Sequence, residues 1–131
     1  MVRTVRAPGQ AMGLLPDQEA EVARSGREGV CWSAASEDLD VNLVAWNPSH
    51  GVAAHVNDGV DVLLVGLRGR GEVEVDGRPL RLGPGRVLLV PRGALRSIRA
   101  ETRLLYLTCH RRRSRTFSAE ELLGPMGTAD R

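Results

Sequence analysis

Three histidines, two cysteines and a set of cations made entirely of arginine bound the chemistry open to this chain of 131 residues. All 18 basic residues are Arg and none is Lys, so neither a Schiff-base lysine nor a phosphate-loop lysine is available. Cys31 and Cys109 lie far apart in no paired-cysteine motif and read as small buried hydrophobes. His110 follows Cys109 directly. Neighbours in a strand point to opposite faces, which argues against a thiol–imidazole nucleophile. His50, between Ser49 and Gly51, reads as a solvated turn residue. Serine, histidine and aspartate are present, but no motif arranges them as a triad, and no catalytic residue is assigned. The tract His110-Arg111-Arg112-Arg113-Ser114-Arg115 is the most basic stretch. It could meet phosphates or an anionic partner, though a solvated connection to a terminal helix explains it more simply.

Whatever chemistry survives must be positioned by short strands. Gly 15 and Pro 7 imply many turns, and an apolar fraction of 42% with 26% charged residues excludes wholesale disorder. Aromatics are only 3%, too few for a platform that stacks nucleic-acid bases. The net charge of +2 conceals a split: residues 1–66 hold four Arg against nine acids, residues 67–131 fourteen Arg against seven. That asymmetry invites a nucleic-acid reading, but a barrel interleaves strands from both halves, and no helix-turn-helix, zinc finger or aromatic-basic pattern accompanies it. With no signal peptide and no apolar run that could span a bilayer, a reduced cytoplasm is expected, without membrane contact.

Residues 1–29 read as an N-terminal extension, with Pro16-Asp17-Gln18-Glu19 starting a helical turn that runs to about Arg24. Leu39, Val41 and Leu43 alternate with Asp40, Asn42 and Val44, as in a half-buried strand. Residues 60–67 and 87–90 read as buried strands, with Val62, Leu64, Val87 and Leu89 in the core. Residues 72–75 run into an Asp76-Gly77 hairpin turn and return through 78–82. Two more strands follow at 95–100 and 103–109. Ser118-Ala119-Glu120-Glu121-Leu122-Leu123 carries a capping-box signal for a short C-terminal helix. Seven to nine short strands without βαβ alternation predict an all-β, antiparallel sandwich or barrel over residues 30–110, with an Arg-rich connection and short helix at 111–131.

Residues 49–100 resemble the cupin superfamily of double-stranded β-helix, or jelly-roll, barrels. The first cupin motif places two histidines one residue apart, then a glutamate, then a glycine. Here the stretch from His55 to Gly69 lies on it without a gap, although the opening glycine is Ser49. Gly85, Pro91 and Gly93 keep the spacing of the second motif, and the fifteen residues 70–84 match the loop between the two. In metal-bearing cupins the two histidines, the glutamate and a motif-two histidine bind one metal. The corresponding positions here are His55, Asn57, Val62 and Arg96, and the motif-two asparagine is Ala100. Val cannot ligate, and a guanidinium about 4 Å from a divalent ion would cost several kcal/mol even at an effective dielectric near 20. The resemblance therefore implies a cupin frame with no metal and no cofactor. If a bulge at Gly59 turned Asp61 inward in place of Val62, the set would be His, Asn, Asp and Arg, still with one cation too many.

The expected ligand-binding residues are His55, Asn57 and Arg96. If Arg96 is buried it must meet an internal acid, with Asp40, Asp61, Glu72 and Glu74 available, or an anionic ligand. If it lies at the barrel mouth it snorkels to water. The leading expectation is a small-molecule-binding or regulatory barrel rather than an enzyme. A metal-dependent isomerase or dioxygenase with a reduced ligand set is the alternative, and an interaction module with an Arg-rich tail is the second. The resemblance also implies a homodimer, with residues 30–47 as contributors.

Overall fold

The computed structural model describes residues 2–3 and 12–112 of the chain. The helical turn expected after Pro16 is helix α1 (Pro16–Ser25). Pro16 suits the first helical position because its fixed φ is preorganised and no N–H is stranded. Gln18 Oε1 accepts from the Leu15 N–H at 3.0 Å, and Gly26 ends the helix at φ 75°. The remaining regular elements among the described residues are strands: β1 (Val2–Arg3), β2 (Gly29–Ala35), β3 (Leu39–Trp46), β4 (Gly51–Val56), β5 (Val62–Arg68), β6 (Gly71–Val75), β7 (Arg78–Leu82), β8 (Val87–Val90), β9 (Leu95–Ala100) and β10 (Leu104–Arg111). No helix among these residues is long and apolar enough to cross a membrane.

The strands form a larger sheet, in the order β1-β2-β3-β10-β5-β8, and a smaller one, β4-β9-β6-β7. Every pair is antiparallel except β1 with β2. Asp76 (φ 50°) and Gly77 (φ 81°) make the two-residue turn between β6 and β7. Val44, Val62, Leu64 and Tyr106 of the larger sheet meet Val73 and Ile98 of the smaller in one core. A second cluster lies on the outer face of the larger sheet, where Leu43, Ala45, Leu105 and Trp32 pack against Val22 of α1. β3 is consequently covered on both sides: Asn42 and Val44 point inward, Leu43 and Ala45 outward, and all four are buried. The segment read as an extension thus contributes to the packing. Arg103 fastens it, donating from Nη2 to Val22 O (2.8 Å), from Nε to Ala23 O (3.4 Å) and from Nη1 to Asn47 Oδ1 (3.0 Å). Val22 and Ala23 lie in the last turn of α1, where carbonyls lack the usual backbone N–H of the next turn, and Val22 O also accepts from Ser25 Oγ at 2.9 Å.

One core expectation fails. Val87 and Leu89 are 59% and 63% exposed. β8 is an edge strand of the larger sheet, and its register sets Val90 opposite Val62 and Leu88 opposite Leu64, facing the core. Period two then turns Val87 and Leu89 to the outer face, beyond the cluster that α1 covers. Val62 and Leu64 are fully buried, as expected. The helix expected at 118–123 and residues 113–115 of the basic tract lie outside the described residues.

Candidate functional site

On the smaller sheet, β4 and β9 set His55 directly opposite Arg96, and β6 sets Val75 on its other side. Directly opposed residues share a face. Arg96 shares its face with the buried residues Ile98 and Ala100, and is itself only 2% exposed. The reading in which Arg96 snorkels to water at the barrel mouth is overturned: the β9 register turns it into the barrel. His55 is half-buried, and its Nδ1 lies 3.0 Å from Ala53 O. A carbonyl oxygen only accepts, so in the neutral ring Nδ1 carries the proton and Nε2 is a bare acceptor. That Nε2 is buried and meets no hydrogen-bond partner among the described residues.

Asn57 is also buried, at 7% exposure. Its Oδ1 accepts from the Gly59 N–H at 2.9 Å, and its backbone oxygen accepts from the Gly93 N–H at 2.8 Å, tying together the turns that follow β4 and β8. Val62 faces the interior with no exposed surface. Asp61 is exposed, and its Oδ1 accepts from the Arg92 N–H at 2.8 Å. No bulge brings it in. Glu72 and Glu74 flank the buried Val73 and lie on the solvent face, whereas Asp40 is half-buried in register with the buried His110.

The donor set does not fit a metal. Val62 offers no lone pair, Arg96 is a permanent cation, and Asn57 Oδ1 is engaged by its own turn. Among the described residues, no three His, Cys, Asp or Glu side chains come together as a ligand group.

The larger sheet adds polar groups that, apart from His110, the sequence reading did not single out. Tyr106 is fully buried, and its hydroxyl accepts from Trp46 Nε1–H at 3.0 Å. Burial pushes its phenol up to about 12, while the Trp46 hydrogen bond and the Arg96 charge pull the other way. Asn42 Nδ2 donates to Thr108 Oγ1 at 3.3 Å. His110 is buried opposite Val62, with Nδ1 3.0 Å from Arg111 O. The signal was present in β3: Asp40, Asn42, Val44 and Trp46 share one face at period two. That polar-looking face lines the barrel, because α1 takes the apolar one.

The other residues weighed as chemical candidates are accounted for locally. His50 is exposed, with Nδ1 2.6 Å from Glu28 Oε2. Glu28 also accepts from the Asn47 N–H at 2.8 Å; that bond, and then His50, hold its carboxyl below the usual carboxylate range. Cys31 is buried, which raises its thiol pKa. Cys109 and His110 face opposite sides of β10 and form no catalytic pair.

Two facing antiparallel sheets, closed around a core and carrying both turn motifs, form the double-stranded β-helix of the cupin superfamily; the chain has that fold. Similar solved structures include TT1209 from Thermus thermophilus, at 29% identity over 62% of this chain and 79% of that one, with a TM-score of 0.57. KdgF from Halomonas sp. matches at 24% identity over 63% of this chain and 76% of that one (TM-score 0.58). The cupin superfamily protein DSY2733 from Desulfitobacterium hafniense DCB-2 matches at 25% identity over 58% and 69% (TM-score 0.53). No protein-family model matches the sequence, and no curated protein is significantly similar to it.

Proposed function

We propose that the protein is a metal-free cupin that binds a small anion inside the barrel, with Arg96 as the charge and His55 and Asn57 beside it. The observation that carries this reading is a guanidinium only 2% exposed, where metal-bearing cupins place a histidine ligand. A fixed positive charge in that place suits a carboxylate or phosphate, which a guanidinium can hold in bidentate geometry. The buried His55 Nε2 is an acceptor on the strand residue directly opposite Arg96, so an anion that also carries a hydroxyl or an acidic proton suits the pair. The role is binding or regulation, and no step of bond chemistry is assigned.

The test is the thermal response to lactate, acetate and phosphate. Binding stabilises by about 2.7 kcal/mol at a hundred times the dissociation constant. Arg96→Met keeps length and apolar volume, and should abolish the response. An Arg96→Met protein that still responds equally would refute the assignment. Stoichiometric metal in untagged protein, lost in His55→Ala, would replace it with the metal-enzyme reading.

A further inference from the structure

A separate cleft of about 420 Å³ lies where β3 and β5 begin and β8 and β10 end. Its floor follows from strand register. Leu89, Leu63 and Cys109 are successive cross-strand partners on the outer face, and Leu39 is paired with Arg111 beside them. Leu39 and Leu89 are 47% and 63% exposed, so this apolar floor is open to solvent. Arg111 and Arg92 line the same cleft. Among the described residues neither guanidinium makes an ion pair or hydrogen bond. The acid lining the cleft, Asp61, accepts from the Arg92 backbone N–H. His110 Nδ1–H donates to Arg111 O, steadying the backbone from which Arg111 projects.

An apolar floor with two uncommitted guanidinium groups is complementary to a molecule with a hydrocarbon body and an anionic head. The volume suits a small ligand. We propose that this cleft binds a small amphipathic carboxylate, such as a medium-chain or aromatic acid. Its body lies on Leu39, Leu63 and Leu89, and its carboxylate meets Arg92 and Arg111. The site is distinct from the anion site proposed at Arg96 and does not depend on it.

The experiment uses the full chain with three probes: octanoate, acetate (the head without the body) and octanol (the body without the charge). In Arg96→Met protein, where the inner anion site is removed, octanoate should raise the melting temperature saturably, with acetate and octanol at the same concentration giving no comparable shift. The double variant Arg92→Gln, Arg111→Gln should weaken octanoate roughly tenfold or more. An acetate response lost in Arg96→Met while the octanoate response persists separates failure here from failure of the inner anion site. Equal octanoate affinity in the double variant, or an equal shift with octanol, would overturn the proposal. So would a third pattern: octanoate without effect, while Leu89→Glu turns a dimer into a monomer by light scattering. The face would then join two copies of the chain.

Discussion

Tyr106 offers a direct measurement of the barrel interior, because it is the single tyrosine of the chain and is fully buried. The perturbation is alkaline pH. A phenol titrates near 10 when solvated, whereas burial pushes this one up to about 12. The folded state therefore holds the proton more tightly than the unfolded state. The associated stability is fully present below about pH 10 and is lost as pH rises toward 12. At about 1.4 kcal/mol per pH unit the loss amounts to roughly 3 kcal/mol. Tyrosinate absorbance in the near ultraviolet reports the ionisation, and near-ultraviolet circular dichroism of the tryptophans reports the fold. Tyrosinate should form only near pH 12, or together with unfolding. The Arg96 cation favours the phenolate, so Arg96→Met should push ionisation higher still or make it coincide entirely with unfolding. A phenol titrating near 10 with native dichroism would show that the ring is not sealed in the barrel, and the inward face assigned to β10 would be wrong.

Gly69 sits at φ 76°, and a Cβ there would lie 1.8 Å from Arg103 O, so Gly69→Ala should cost several kcal/mol in a denaturant titration. Gly93→Ala, at φ 88° with open space around it, should cost only about 1–2 kcal/mol; equal losses would contradict this account of the two motifs. Ser49 occupies the motif-opening glycine position at φ 73°, so Ser49→Gly should relieve strain and stabilise by about 1 kcal/mol in the same assay, and a loss would refute that strain. Arg103→Met removes charge-assisted bonds to the end of α1 and to Asn47, and should cost about 2–3 kcal/mol, with amide hydrogen exchange rising first in residues 16–25.

The frame was legible because turn chemistry is local. Asp76-Gly77, Gly69 and the Gly85–Pro91–Gly93 spacing each sit where a left-handed or fixed φ is required, or beside such a position, and β8 and β9 occupy the expected residues. The gapless register from His55 to Gly69 also decided correctly between Val62 and Asp61, since period two admits only one of them to the interior. Orientation was less legible where both faces of a strand are covered. β3 reads as half-buried from its alternation, yet its polar-looking face lines the barrel and its apolar face lies under α1. β8 reads as core because its four residues are all apolar, and nothing local marks it as the last strand of a sheet. The Trp46–Tyr106 bond joins residues 60 positions apart, and the Arg96 charge reaches them only once both sheets are folded. That part of the site is a property of topology, which a linear pattern does not carry.

An arginine inside this barrel changes how the barrel interior can be controlled. A histidine-held ion must be acquired, competes with other metals, and can be withdrawn by a chelator or displaced by protons. Arg96 arrives with translation, and a guanidinium needs no loading to carry its charge. Its electrostatic field is therefore constitutive, without a loading step or an uncharged form for a cell to exploit. For the anion proposed above, occupancy would then follow the supply and protonation of the guest, with His55 as the one titratable side chain proposed beside it.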